Sequence, residues 1–114
     1  MLEQVIMNLV TNAVQALTDW PRQKRIGIAS TLKNESIVIQ VADSGPGVPE
    51  DVAGRIFDPF YTGRRDGSGI GLSLCHRIIS DHGGSLTVGV SHWGGALFTI
   101  EIPADIYYGY DSHG

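Results

Sequence analysis

The sequence predicts an α/β (α+β) two-layer sandwich, in which helices cover one face of a mixed sheet. Three observations lead there. Residues 2–18 and 69–82 carry apolar side chains at helical spacing. Residues 25–32 and 36–42 alternate apolar and polar side chains across a short turn, as do 85–90 and 96–102. The order is helix, hairpin, helix, hairpin, so each hairpin has a helix with which to bury its apolar side.

Each element has a local cause. In the first helix Leu2, Ile6, Leu9, Val10, Ala13 and Leu17 form one broad apolar face, and Pro21 stops it. Ile26, Ile28 and Leu32 lie to one side of the first strand; Lys33-Asn34-Glu35 turns the chain; Ile37, Ile39 and Val41 face one way in the second strand. Residues 43–50 are rich in Gly and Pro and read as a loop, and 51–56 as a short helical turn. Residues 58–68 have no period and read as a flexible segment. The second long helix ends at Gly83-Gly84, a suitable C-terminal cap. In the last hairpin Leu86, Val88 and Val90 share one side, as do Phe98, Ile100 and Ile102, and Gly94-Gly95 lie in the turn. The domain is expected over 1–104, with 105–114 a mobile tail.

Bulk properties narrow the function. A chain of 114 residues is the size of one domain. With a net charge of −4 it has no basic field to draw in nucleic acid. No apolar run approaches the roughly 20 residues that span a bilayer, and the start, Met1-Leu2-Glu3-Gln4, lacks the basic region of a signal peptide. The single cysteine, Cys75, reads as a buried apolar residue and fits a reducing compartment. A cytoplasmic location without direct membrane contact is therefore expected.

Four short motifs carry the chemistry. Asn8 and Asn12, one helical turn apart in Asn8-Leu9-Val10-Thr11-Asn12-Ala13, stack on one face with Gln15 nearby. Amide oxygens are hard donors suited to Mg²⁺, although an amide stripe also suits a solvated helix face. Asp43 ends a strand and opens Asp43-Ser44-Gly45-Pro46-Gly47. Its carboxylate could accept a hydrogen bond from the exocyclic amine of adenine, with Gly45 and Gly47 allowing close approach; the same string also makes a plain turn. Phe57 and Phe60 bracket Asp58-Pro59 and read as an anchor for the segment 58–68, or as core filling. Arg64 and Arg65 within that segment could close over phosphates, or simply keep the surface soluble. Gly67-Ser68-Gly69-Ile70-Gly71-Leu72 opens the second helix, where free N–H groups make an anion site. No Gly-Lys-Ser/Thr follows, so this is not a Walker A loop. The four histidines show no metal-ligand spacing.

In this order the four motifs resemble the asparagine box, first glycine box, phenylalanine box and second glycine box of the sensor histidine kinase ATP-binding domain. Gly94-Gly95-Ala96-Leu97-Phe98 resembles its closing glycine-containing strand, and the likeness covers about residues 2–103. The wider superfamily, with the Bergerat α/β sandwich, includes gyrase-, Hsp90- and MutL-type ATPases. The resemblance implies ATP and Mg²⁺ as cofactors, with Asn12 the principal Mg²⁺ ligand and Asn8 a second contact, these two being the catalytic pair. Asp43 would take the adenine amine. Residues 58–68 would be a lid over ATP, and Gly67, Gly69 and Gly71 would hold phosphates.

Hydrolysing relatives usually carry Glu at the position of Asn8 as general base, so the resemblance favours transfer to an external acceptor over hydrolysis. Gln15 stands where many kinases have Lys or Arg, and Ala96 where Thr or Ser is common. No phosphoacceptor histidine segment or strand preceding the asparagine box is present. The implied partners are a dimerisation and phosphoacceptor domain of a longer kinase, which as a whole could be membrane-anchored, and a response regulator downstream. The chain itself is expected to be a monomer. Alternatives on the same fold are an anti-sigma-type serine kinase and a docking module that needs no nucleotide.

Overall fold

A computed structural model describes residues 1–58 and 69–104. Phe60, Arg64, Arg65, Gly67 and Ser68 lie outside the described residues, as does the expected tail 105–114; Gly69 and Ile70 are described by their backbone alone. The elements are α1 (Leu2–Thr18), β1 (Ile26–Lys33), β2 (Ser36–Asp43), α2 (Glu50–Ala53), α3 (Gly69–Asp81), β3 (Ser85–Val90) and β4 (Ala96–Pro103). Among the described residues they form one sheet, with α1 and α3 packed on a single face.

Strand order is β1-β2-β4-β3, and every neighbouring pair is antiparallel. The two-layer architecture is as the sequence predicts, but the sheet is antiparallel throughout where a mixed one was expected. The reason lies in how the second hairpin docks. β3 runs in the same direction as β2 and would pair with it in parallel. Instead β4 enters between them, and Phe98, Ile100 and Ile102 on its inner side are almost wholly buried. The strand with the most apolar inner face takes a central place, where that face is removed from water.

The core joins the inner face of the sheet to one side of each helix: Val5 and Leu9 of α1, Leu72, Cys75 and Ile79 of α3, Ile39 and Val41 of β2, Leu86 of β3, and β4. β1 is an edge strand. Its Ile28 pairs opposite Val41 on the inner face, yet Ile28 and Leu32 remain 56% and 64% exposed because α1 sits mainly over β2. In the β1–β2 turn Asn34 and Glu35 both take positive φ, 49° and 67°. That is the backbone a two-residue hairpin loop demands. The Ala104 N–H donates to the Glu35 carbonyl at 2.8 Å and ties the end of β4 to this turn.

The end of α3 follows from its glycines. Gly83 takes φ +81°, its N–H donates to the Ser80 carbonyl, and the Gly84 N–H donates to the Ile79 carbonyl. These are the two bonds of a Schellman cap, which satisfy carbonyls the helix would leave bare. His82 closes the same end, its Nδ1 lying 2.8 Å from the Ile78 carbonyl oxygen. Among the described residues no helix is long and apolar enough to cross a membrane.

Candidate functional site

The apolar period of α1 buries Val5, Leu9, Ala13 and Leu17, and so turns the amides of Asn8, Asn12 and Gln15 to the flank facing α3. There they line a cleft of about 150 Å³ together with Thr11, Gly71 and Leu72. Gly71 and Leu72 belong to the first turn of α3, whose backbone N–H groups have no partners within the helix. No described atom lies within 4 Å of where a Cβ on Gly71 would stand, so the cleft is open on that side. Amides from one helix and the N-terminus of another thus share one space.

Asp43 occupies a second place, at the end of β2. It is only 2% exposed. Its Oδ1 accepts from the Gly45 N–H at 2.9 Å and from the Ala96 N–H at 3.2 Å. Both bonds fall on one oxygen, Oδ1. The loop after Asp43 is packed from two sides: a Cβ at Gly45 would come within 3.5 Å of the Ala16 carbonyl and Leu17, and one at Gly47 within 3.2 Å of the Gly94 carbonyl. Ser44 clamps the loop to the chain before β1, donating to the Gln23 carbonyl and accepting from the Arg25 N–H. Because Ala16 follows Asn12 by one helical turn, about 6 Å of rise, α1 reaches both the cleft and the Asp43 loop.

Phe57 stacks on His76 of α3, with ring centroids 5.1 Å apart, and meets Phe98 edge-on at 6.2 Å. Its ring is thus pinned between α3 and the central strand. Two features of the site escaped the sequence reading. The first is what surrounds Cys75: it is fully buried, as the sequence predicts, but its thiol donates to the Val5 carbonyl at 4.0 Å and has the Asn8 side chain beside it. Burial pushes its pKa above the ordinary value of 9.0, and the Asn8 contact offsets part of this.

That shift has a consequence for stability. Above pH about 9 the unfolded chain loses a thiol proton that the folded chain keeps, so stability is full below that pH and falls as pH rises through the folded value. Urea unfolding followed across this range is expected to show the loss, and Cys75→Ala to flatten it relative to the parent. An unchanged slope in the variant would assign the loss to other groups.

The second missed feature is a bond from the β3–β4 turn, residues 91–95, to the end of β2. The Ser91 hydroxyl donates to the Asp43 main-chain carbonyl at 2.7 Å, which joins this turn to the end of β2. A serine beside His92-Trp93 carries no local sign of a partner 48 positions away.

The family model described as histidine kinase-, DNA gyrase B- and HSP90-like ATPase matches residues 1–106. The C4-dicarboxylate transport sensor protein DctS of Rhodobacter capsulatus is 36% identical over 104 residues, covering 90% of this chain and 16% of DctS. This chain therefore spans about a sixth of that relative. Among solved structures, the nucleotide-free catalytic domain of the histidine kinase ThkA superposes with a TM-score of 0.79 at 38% identity, over 90% of this chain and 66% of that one. ThkA in complex with the response regulator protein TrrA superposes with a TM-score of 0.74 at 35% identity, over 91% of this chain and 28% of that one.

Proposed function

The chain belongs to the histidine kinase-, DNA gyrase B- and HSP90-like ATPase family, and from that premise we propose that it is the ATP-binding catalytic domain of a sensor histidine kinase. It binds Mg–ATP and presents the γ-phosphate to a histidine on a separate dimerisation domain, from which a response regulator takes it. The observation that carries this reading is the shared cleft: Asn8, Asn12 and Gln15 face the first turn of α3, on a helix that also touches the Asp43 loop.

In this reading Oδ2 of Asp43 accepts from the adenine amine, and the loop at Gly45 and Gly47 shapes the base pocket. The N–H groups from Gly69 to Leu72 take phosphate oxygens at the N-terminus of α3. The amide oxygens of Asn12, and secondarily Asn8, fit Mg²⁺, which needs few protein ligands beside phosphate and water. When bound, the ion would neutralise phosphate charge. Phe57, with Phe60, anchors residues 58–68 as a lid carrying Arg64 and Arg65, and Gly67, Ser68 and Ile70 complete the phosphate loop. The chain's contribution to catalysis is positioning, as in other phosphoryl transfers.

Among the described residues, the cleft lining has no carboxylate or imidazole to take a proton from water. That supports transfer over hydrolysis.

The test supplies the chain with Mg–ATP labelled at the γ-phosphate and a phosphoacceptor helical domain from a relative. An acid-labile phosphoprotein with little free phosphate is expected. An acid-stable product would indicate a serine kinase, rapid phosphate release an ATPase, and failure to bind ATP a docking module. Each of these three would overturn the proposal.

A further inference from the structure

We infer that Ser91 is a positioning residue for base recognition: it fixes where the Asp43 carboxylate stands, and so sets the preference for a purine that carries an amine at C6. The inference rests on the reading of Asp43 as the group that meets adenine.

Ser91 is 5% exposed, and its hydroxyl is fully used. The proton goes to the Asp43 main-chain carbonyl at 2.7 Å, while the oxygen accepts from the Gly95 N–H at 3.1 Å and the Trp93 N–H at 3.2 Å. One donor and two acceptor sites are all that a serine hydroxyl offers. Main-chain bonds close the turn on the same residue: the Ser91 N–H donates to the Gly95 carbonyl at 2.8 Å, and the Gly94 N–H to the Ser91 carbonyl at 2.9 Å. From the other side the Trp93 ring lies against Gly27 of β1, 3.1 Å from where a Cβ there would stand.

The turn held in this way delivers the Ala96 N–H to Asp43 Oδ1. It also sets the Gly95 backbone so close that a Cβ would overlap the Asp43 carbonyl and carboxylate oxygens. Ser91 therefore grips Asp43 by its main chain and, through Gly95 and Ala96, holds one carboxylate oxygen by its side chain. Without the hydroxyl the Gly95 and Trp93 amides lose their acceptor and the Asp43 carbonyl its donor. The carboxylate is then free to turn Oδ2 away from the amine.

The experiment compares binding of ATP and inosine triphosphate by calorimetry, each with Mg²⁺. Inosine triphosphate has a carbonyl where ATP has the amine, so it reports nucleotide binding without the Asp43 contact. The parent is expected to prefer ATP, and Asp43→Ala to erase the preference. Ser91→Ala is expected to lower the preference by roughly fivefold to tenfold, acting on ATP while leaving inosine triphosphate nearly unchanged. Ser91→Thr, which keeps the hydroxyl, is expected to retain the preference.

A parent with no preference would overturn the Asp43 reading itself. With the parent preference present, an intact ratio in Ser91→Ala would overturn the Ser91 role alone. Equal weakening of both nucleotides would do the same, because it would make Ser91 a structural residue only. Loss of the ratio in Ser91→Thr would show that the hydroxyl is not the cause. Should Ser91→Ala fail to fold, Ser91→Cys gives the same comparison, its weaker S–H donor lowering the ratio in the same direction.

Discussion

Gly95→Ala is expected to destabilise the domain by about 3 kcal/mol and to abolish ATP binding with it. The added Cβ would overlap the main-chain carbonyl and Oδ1 of Asp43 and stand 2.7 Å from the Gly45 amide nitrogen. Two of these are backbone atoms at the end of a buried strand, which cannot swing aside as a side-chain tip would. Relief has to come from lifting the 91–95 turn, and that breaks the Ser91–Asp43 and Ala96–Asp43 bonds together. Gly94→Ala is the internal control. Gly94 has φ +90° but nothing within 4 Å of its added Cβ, so its cost is the left-handed backbone alone, about 1–2 kcal/mol, and ATP binding persists. Urea unfolding and ATP titration of both variants decide the matter. Equal stability of the two, or ATP binding by Gly95→Ala, would show that the turn does not bear on Asp43.

The second large effect is on specificity. Asp43→Asn keeps an oxygen to accept from the Gly45 and Ala96 amides, so the fold should lose little. The other position becomes an NH₂ group, which meets the adenine amine donor to donor. ATP affinity is expected to fall by roughly 10–100-fold, the loss of a charge-assisted hydrogen bond of about 1.5–3 kcal/mol. The same NH₂ can donate to the C6 carbonyl of a guanine or hypoxanthine, so GTP should lose less or gain. Titration of parent and variant with both nucleotides reads the ratio directly. If ATP and GTP weakened equally, Asp43 would not be the group that tells them apart.

Periodicity made the elements legible because the forces that set them are local. Of the apolar face expected in α1, Leu9, Ala13 and Leu17 are buried, Val5 joins them, and Leu2, Ile6 and Val10 pack at the margin, while the same spacing leaves Asn8 and Asn12 together on the flank. Gly83 could be read as a stop because few residues other than glycine tolerate its φ. What stayed hidden depends on contacts between distant segments. The alternation of Phe98, Ile100 and Ile102 marks a strand, but whether β3 or β4 adjoins β2 is settled only when the second hairpin docks. For the same reason Ser91 reads as an ordinary turn residue until Asp43 is beside it, and the Asn8–Cys75 contact exists only where α1 and α3 pack. The amides and glycines of the candidate site could be named from the sequence; Ser91 and the Asn8–Cys75 contact could not.

The central position of β4 sets the order in which the molecule can be made. As the chain leaves the ribosome, α1 and the first hairpin emerge early, but β2 pairs with residues more than fifty positions further on, Ala42 with Leu97 and Ser36 with Pro103. Until those arrive, one hydrogen-bonding edge of β2 stands bare and Ile39 and Val41 lack Phe98, Ile100 and Ile102 as neighbours. Long-range antiparallel pairing of this kind is a slow step, because a large loop must close before any contact repays it. A nascent chain stopped short of β4 could still bring α1 against β2 and α3 but would lack the central strand of the core, and so would be prone to pair its open edge with another chain.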